Sequence, residues 1–287
     1  MAGTTALDFG NRALATVPDS ALACGGLTRL NLYRNQLNAL PDALWSQQEL
    51  RWMNLAENRL TSLPDGIGRL TQLRMLDIAH NQLTTLPETI GQLTALCDFL
   101  YVADNCLERL PDAICQLTQL AYFNASDNQL EELPTEFGRM QSLAELRLYG
   151  NRLRSLPASI GNLGSLIELH LPRNRLTSLP DTLGGIARLR ELDLADNLLT
   201  TLPDSVGDLS ALRRLNLRNN ELTALPASIA RLEQLTHLDL RANPLQALPE
   251  AIAALPRLEK LDLRWCPLDP LPTWIEDLRK RGCLVYC

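Results

Sequence analysis

The stretch Leu189–Leu209, LRELDLADNLLTTLPDSVGDL, contains the pattern that decides the fold of this 287-residue chain. Its apolar positions, its asparagine and its Leu-Pro step return at a spacing of 23 residues toward both ends of the sequence. The core of the pattern is L-x-x-L-x-L-x-x-N-x-L, and a fixed period of about 20–50 residues indicates a stack of equivalent coils. The repeat asparagine stands at Asn35, Asn58, Asn81, Asn105, Asn128, Asn151, Asn174, Asn197, Asn220 and Asn243, and Cys266 takes its place in the next repeat.

Each part of the repeat predicts one piece of local structure. The Leu-x-Leu pair predicts a strand whose two leucines face inward, while the residue between them faces solvent. The asparagine can donate and accept hydrogen bonds to backbone groups of neighbouring coils, which stacking would otherwise bury without partners. The Leu-Pro step favours an extended residue and then a helical or 3₁₀ start.

A single coil buries too little apolar surface to offset the conformational entropy lost on ordering it, so the coils must stack. We therefore predict one continuous solenoid over residues 1–287. Residues 1–28 form a degenerate capping coil in this prediction, residues 29–270 form regular coils, and residues 271–287 form a C-terminal cap. The cap contains a helix over Thr273–Lys280, with Trp274 as its hydrophobic plug, and a last strand at Leu284–Tyr286.

One interval between repeat asparagines is irregular. Asn81 and Asn105 are 24 residues apart, so one coil contains an extra residue. The extra residue predicts a β-bulge around Cys97–Leu100. Such a bulge is expected to shift Phe99 and Tyr101 relative to their neighbours on adjacent strands.

On these motifs the chain resembles the leucine-rich repeat class that has 23-residue repeats and L-P-x-x-[IL]-G-x-L segments. Similar repeats occur in intracellular Ras-pathway scaffolds, in plant Ras-group proteins and in bacterial proteins that include type III effectors. The resemblance implies an α/β solenoid shaped as a horseshoe, with a parallel β-sheet on the concave face and short 3₁₀ or helical turns on the convex face. It also implies protein binding, although the fold serves many functions and does not specify one partner.

Charge and hydropathy exclude several classes of partner. The net charge of −6 argues against nucleic acid and against anionic membranes. The N-terminal residues show neither a basic start nor an apolar core, so we expect no secretory signal, and no run of about 20 apolar residues predicts a transmembrane helix. We expect a monomeric protein in the cytoplasm.

Seven cysteines form an odd set without a disulfide framework or a C-x-x-C zinc pair. We predict reduced thiols with structural roles, which agrees with a cytoplasmic location. Cys24 and Cys97 fall at or beside core-leucine positions, whereas Cys106 and Cys115 are expected near the surface.

The sequence gives no support to an enzyme or to a bound cofactor or metal. It lacks the phosphate-binding, dinucleotide-binding, zinc-protease and serine-hydrolase motifs. The one conceivable acid–base cluster is His170 with Glu168 and Asp193.

The outward positions of the strands carry no structural duty in this interpretation, so they hold the candidate binding residues. An N-terminal zone is rich in aromatic side chains, which are common interface anchors, although the rings could instead pack on one another across strands. A middle zone carries a ladder of glutamates that either attracts a basic partner or is neutralised by Arg147, and a C-terminal zone carries arginines and aspartates that we expect to pair with each other. The predicted partner-binding residues are Tyr33, Trp52, Met75, Phe99, Tyr101, Tyr122, Glu145, Arg147, Glu168, His170 and Glu191.

These observations predict a non-enzymatic scaffold that recognises a protein partner on its concave surface. An alternative is the substrate-targeting module of a bacterial effector or of a ubiquitin-ligase-type system, with catalysis supplied by another domain or chain. A purely structural spacer is a third possibility, but a spacer needs no aromatic patch.

Overall fold

The computed structural model describes residues 5–23 and 25–287, so the predicted core position of Cys24 lies outside the described residues. The chain forms two compact units, Met1–Leu143 and Ala144–Cys287. Both are built from the predicted coil, which consists of a short strand, a turn at the asparagine and a 3₁₀ helix after the Leu-Pro step. Each unit is therefore an α/β solenoid with a parallel sheet, whereas the boundaries at residues 28 and 270 stay a prediction.

Among its described residues, the first unit carries six strands that pair in chain order, each parallel to the next. The strands are β1 (Thr5–Asp8), β2 (Leu27–Asn31), β3 (Trp52–Asn54), β4 (Met75–Asp77), β5 (Phe99–Tyr101) and β6 (Tyr122–Asn124). The helices are α1 (Asp19–Leu22) and the 3₁₀ segments Asp42–Ser46, Asp65–Arg69, Glu88–Gln92, Asp112–Gln116 and Phe137–Arg139. Strands pair with strands and 3₁₀ segments pack on 3₁₀ segments, so the two kinds of element form separate sides of each coil.

The second unit repeats this arrangement with seven parallel strands among the residues described. They are β7 (Glu145–Arg147), β8 (Glu168–His170), β9 (Glu191–Asp193), β10 (Arg214–Asn216), β11 (His237–Asp239), β12 (Lys260–Asp262) and β13 (Leu284–Tyr286). The 3₁₀ segments are Ala158–Asn162, Asp181–Gly185, Asp204–Asp208, Ala227–Arg231 and Glu250–Ala254, and α2 (Ile275–Lys280) precedes the last strand.

The repeat leucines and prolines behave as the sequence predicts. Leu192 and Leu194 are 1% and 0% exposed and lie on either side of the solvent-facing Asp193. Pro180 has φ −71° and ψ 147°, and the 3₁₀ segment begins at the next residue, Asp181. The proline therefore ends the extended stretch and presets the backbone for the turn.

The repeat asparagine bonds to the backbone of two coils. Asn174 Nδ2 donates to the carbonyl oxygens of Leu148 at 2.9 Å and Leu171 at 3.0 Å, and its Oδ1 accepts the N–H of Leu153 at 3.0 Å. The Leu148 carbonyl accepts a second amide bond, from Asn151 at 3.0 Å. The predicted role of the asparagine is confirmed: it satisfies buried backbone groups between stacked coils.

The residue before each repeat asparagine or its cysteine substitute adopts a left-handed backbone. In the first unit these residues have φ between 50° and 53°, and in the second unit φ lies between 52° and 66°. Gly150 is one of them, but the others carry a side chain, namely Arg34, Glu57, His80, Asp104, Asp127, Arg173, Asp196, Asn219, Ala242 and Trp265. This conformation turns the chain away from the strand in every coil.

The extra residue of the irregular coil lies before the strand and not within it. In a regular coil the residue before the strand and the first strand residue both bond to one carbonyl of the previous coil, as Arg74 and Met75 do to Arg51. In the irregular coil Cys97 and Asp98 make these two bonds to Arg74, so Asp98 is an extra residue between Cys97 and the strand. The extra residue thus lies within the range predicted for the bulge, immediately before β5. However, Phe99 stays in register with Met75 and Tyr101 with Asp77, so the expected shift of these rings is wrong. The loop before β5 contains the extra residue, and β5 therefore keeps its pairing with both neighbouring strands.

The C-terminal cap has the predicted helix and strand, but the helix begins two residues later, at Ile275. Leu284–Tyr286 pairs in parallel with β12, as predicted. The cap is filled by Ile275 and Leu278, which are 2% and 0% exposed, whereas Trp274 is only partly covered. The prediction of Trp274 as the plug is therefore wrong.

The described cysteines are free thiols, and one of them is not where the sequence predicts. Cys115 is 2% exposed rather than near the surface, because it occupies the glycine position of the L-P-x-x-[IL]-G-x-L segment, where the next coil lies close by. At the equivalent Gly91, a Cβ atom would lie 2.5 Å from the carbonyl oxygen of Ala113 in the next coil. Within the described ranges, each helix is too short or too polar to cross a bilayer.

Candidate functional site

The solvent-facing side chains of the sheets form a surface that we call the strand face of each unit. It consists of the last residue of each strand, the residue two positions before it and the residue two positions after it. In β4 these are Met75, Asp77 and Ala79. The predicted binding residues lie at these three positions of their coils, six in the first unit and five in the second.

The last residue of the strand has a structural role that sequence reasoning missed. The Asp77 carboxylate accepts the N–H of Ala79 at 3.1 Å and closes a local turn. The same bond, at 2.8–3.4 Å, is made by Asn31, Asn54, Asn124, Asp193, Asn216, Asp239 and Asp262. The expectation that outward positions carry no structural duty is wrong for this row. The recurrence of Asn and Asp at one position was the signal that could have revealed it.

Three aromatic rings form a cluster on the strand face of the first unit. The ring centres of Phe99 and Tyr101 are 5.7 Å apart, those of Phe99 and Tyr122 are 5.8 Å apart, and those of Tyr101 and Tyr122 are 5.0 Å apart. Phe99 nevertheless remains 42% exposed. The rings therefore pack on one another, as the alternative interpretation held, and still present apolar surface to solvent.

The other predicted residues of the N-terminal zone contribute less apolar surface. Met75 is 8% exposed, because Trp52 and Phe99 lie opposite it on the two neighbouring strands. The Arg29 guanidinium lies 4.8 Å from the centre of a Trp52 ring. The Tyr33 hydroxyl donates to Glu57 at 2.7 Å, and this bond is the main cause that raises the pKa of Tyr33. The binding role of these residues stays a prediction, and Phe99 offers the most accessible ring.

The predicted glutamate ladder lies in register on three strands of the second unit, at Glu145, Glu168 and Glu191. Each carboxylate has a cationic or ionisable neighbour: Arg147 at 2.5 Å from Glu145, His170 at 3.1 Å from Glu168, and Arg214 at 3.6 Å from Glu191. Neutralisation within the chain is thus at least as well supported as attraction of a basic partner.

One part of this ladder has the spacing of a metal site. Ligand atoms of Glu145, Glu168 and His170 lie within 4.8 Å of one another. Glu145 already contacts Arg147, and Glu168 contacts His170, so these groups have partners within the chain.

The acid–base cluster considered in the sequence analysis is partly assembled. His170 Nε2 lies 3.1 Å from Glu168 Oε2, and His170 stands opposite Asp193 on the next strand. Burial raises the pKa of the Asp193 carboxyl, while the N–H of Ala195 and the nearby His170 lower it. A perturbed carboxyl beside a histidine occurs at functional sites and also in structural networks. Here the turn-closing bond from Ala195 supplies a structural reason for Asp193.

The arginines of the C-terminal zone pair with aspartates, as predicted. Arg264 contacts Asp262 at 2.7 Å, Arg241 contacts Asp239 at 2.5 Å, and Arg218 contacts Asp196 at 3.0 Å. This part of the strand face is therefore a set of satisfied ion pairs.

Sequence comparisons agree with the repeat. The family model described as "Leucine-rich repeat region" matches residues 27–121 and 110–198, and the model described as "Leucine rich repeat" matches residues 187–245 and 210–268. Together these matches run from residue 27 to residue 268, which is well over half of the chain. No curated protein matches the sequence.

Similar solved structures include a receptor kinase ectodomain and chains of two other complexes. The ectodomain of the receptor kinase GASSHO1/SCHENGEN3 from Arabidopsis thaliana, in complex with CASPARIAN STRIP INTEGRITY FACTOR 2, is 30% identical with a TM-score of 0.74 and covers 95% of this chain. The Toll–Spatzle complex of Drosophila is 31% identical with a TM-score of 0.76 and covers 88%. A chain of the Latrophilin 3, Unc5D and FLRT2 complex is 26% identical with a TM-score of 0.76 and covers 96%. This chain spans 37%, 35% and 87% of those three chains, respectively.

Proposed function

Because the chain belongs to the leucine-rich repeat family, we propose that it is a non-enzymatic scaffold whose strand face binds a protein partner. The observation that carries this proposal is the cluster of Phe99, Tyr101 and Tyr122, in which Phe99 is 42% exposed. Exposed aromatic side chains in a group are typical of interaction sites. Leucine-rich repeat proteins captured with protein ligands, such as Toll with Spatzle, support the same class of function.

A capture experiment with a matched control tests this proposal. The immobilised protein captures partners from a cell extract, and each partner is then purified and its affinity measured directly. We expect Phe99→Ser to lower the affinity for a genuine partner by about tenfold or more, as loss of a central aromatic anchor does. Leu198→Ser is the control, because Leu198 is a similarly exposed apolar side chain, at 46%, outside the strand face.

The proposal fails if Phe99→Ser and Leu198→Ser bind every captured protein with the affinity of the wild type. Thermal melts of both variants guard against misfolding. The targeting-module alternative uses the same surface and differs in what happens to the partner, so modification or degradation of the captured protein in a reconstituted system would favour it.

We also propose that the protein is a monomer in the cytoplasm and binds neither nucleic acid nor membranes. The six described cysteines are free thiols, which suits a reducing compartment. Fractionation of the native source tests the location, and sedimentation of the purified protein tests the monomeric state.

A further inference from the structure

Two pairs of neighbouring strands place an aspartate opposite a tyrosine. In the first unit Asp77 of β4 lies opposite Tyr101 of β5, and in the second unit Asp262 of β12 lies opposite Tyr286 of β13. Both aspartates are the third residue of their strand. Both accept the backbone N–H of the residue two positions on, at 3.1 Å for Asp77 and 3.4 Å for Asp262. The two sites thus share one backbone frame.

At the Asp262–Tyr286 pair, the chain's own arginine fills the space between carboxylate and ring. Arg264 Nε donates to Asp262 Oδ1 at 2.9 Å, and Arg264 Nη2 donates to Asp262 Oδ2 at 2.7 Å. The centre of the guanidinium lies 5.3 Å from the centre of the Tyr286 ring. This is a two-point ion pair combined with stacking on an aromatic face.

At the Asp77–Tyr101 pair, the residue in the place of Arg264 is Ala79, whose side chain ends at Cβ. Among the described residues, the Asp77 carboxylate makes a hydrogen bond to Ala79 N–H and forms no salt bridge. The basic residues three positions away on either side contact other carboxylates: Arg74 contacts Asp98 at 3.2 Å, and His80 contacts Asp104 at 2.6 Å. The half-buried Asp77 thus has the ring and the backbone frame of the other site but not its guanidinium.

The pKa of each aspartate follows this difference. Burial raises the pKa of Asp77 more than the Ala79 N–H and His80 lower it. Burial acts in the same direction at Asp262, but the hydrogen bonds from Arg264 and the charge of Arg241 outweigh it and lower the pKa. A cation placed beside Asp77 would therefore relieve an unfavourable carboxylate.

We propose that the Asp77–Tyr101 pair binds an arginine side chain of the partner protein, in the position that Arg264 occupies beside Asp262 and Tyr286. Arginine fits better than lysine because its planar guanidinium makes two parallel bonds to a carboxylate and stacks on a ring. The adjacent Phe99 contacts the aliphatic and backbone parts of the same segment. This inference rests on the proposed function of the strand face and adds the chemistry of its ligand.

Asp193 provides an internal comparison, because Ala195 follows it as Ala79 follows Asp77. It lies opposite Asn216 rather than a ring, and His170 stands on its other side. Asp193 therefore lacks the aromatic half of the site and already has a basic neighbour. Of Asp77, Asp193 and Asp262, only Asp77 combines an aromatic partner with an alanine in the arginine position.

The test uses two synthetic peptides, acetyl-Gly-Gly-Arg-Gly-Gly-amide and the same peptide with citrulline, which has the shape of arginine without its charge. Binding is followed by NMR, from the side-chain carboxyl carbon of Asp77 and the ring signals of Tyr101. We expect the arginine peptide to bind with a Kd on the order of 1 mM, at least about tenfold more tightly than the citrulline peptide.

Three variants make the test specific. Asp77→Asn should abolish the preference for arginine and keep the fold, because Asn31 and Asn54 occupy the same strand position and accept the same N–H. Ala79→Arg should fill the site from within, abolish peptide binding and lower the pKa of Asp77. Ala195→Arg adds the same charge at a matched position beside Asp193 and should leave peptide binding unchanged.

The inference is overturned if arginine and citrulline peptides bind equally, or if Asp77→Asn and Ala79→Arg bind the arginine peptide like the wild type. Neither result affects the strand-face proposal, which depends on whether Phe99→Ser weakens a purified protein partner. Conversely, loss of the arginine preference in Asp77→Asn, together with retention in Ala195→Arg, supports the inference.

Discussion

Replacing Asn174 with alanine tests how the coils are held together. The carbonyls of Leu148 and Leu171 each lose one amide donor but keep another, from Asn151 and Asn197 respectively. The N–H of Leu153 has no such substitute, because it donates to Asn174 Oδ1. The main cost is therefore one buried N–H without an acceptor, or about 1–3 kcal/mol of the free energy of unfolding.

Urea denaturation followed by circular dichroism measures this cost, and Asn174→Asp is the matched variant. Aspartate keeps the acceptor for the Leu153 N–H but loses the amide donors, so comparing the two variants separates acceptor from donor. We expect Asn174→Ala to lower the melting temperature by roughly 4–8 °C if the cost is about 2 kcal/mol. A change in unfolding free energy below about 0.5 kcal/mol, the scatter typical of surface substitutions, would refute the argument that this N–H depends on the asparagine.

Three further predictions follow from individual side chains. Because burial raises the pKa of Asp77 in the folded state, its carboxylate costs stability at neutral pH, and this cost disappears as the pH falls below that pKa. Asp77→Asn should therefore be more stable than the wild type at pH 7 and lose this advantage in acid. A stability difference that does not depend on pH would contradict this prediction. Burial raises the pKa of Cys115 to about 11, so a thiol reagent at pH 8 should label the exposed Cys287 first and Cys115 only in denaturant. Early labelling of Cys115 in the native protein would show that it is accessible. In the unfolded chain under nonreducing conditions, the reagent should count all seven thiols. Cys266→Asn should restore the amide bridge to the preceding coil and raise the melting temperature by about 2–4 °C for a gain of about 1 kcal/mol, whereas an unchanged melt would show that the thiol, which donates to Leu240 at 3.1 Å, already suffices.

The features predicted correctly from the sequence are those that depend on one coil and its neighbour. The strand positions, the 3₁₀ turns after Leu-Pro and the bonds of Asn174 follow from a fixed period and from the need to satisfy buried backbone groups. The burial of Cys115 was also within reach, because that residue stands where other repeats carry glycine. Its position in the motif was a better guide than its residue type.

The remaining features depend on contacts that the period does not determine. The asparagine spacing shows that one residue is extra, but its place before β5 follows from the hydrogen bonds of Cys97 and Asp98 to Arg74 and from the pairing of Phe99 with Met75. Met75 is buried because large rings happen to lie on both neighbouring strands. The Asp77 site was missed because it emerges from comparing two coils that are far apart in sequence, where an alanine in one replaces an arginine in the other.

The left-handed residues of each unit form a row at which the stability of that unit can be changed. A side chain in this backbone conformation costs about 1–2 kcal/mol, and glycine avoids that cost but loses about 0.5–1 kcal/mol through its greater freedom in the unfolded chain. At Ala242 the methyl group offers little in return, so glycine there would be a net gain. At His80, the same change would remove the 2.6 Å side-chain contact with Asp104 while it relieves the backbone. An engineer could therefore raise or lower the melting point of this protein along these rows while leaving the leucine core and the strand face unaltered.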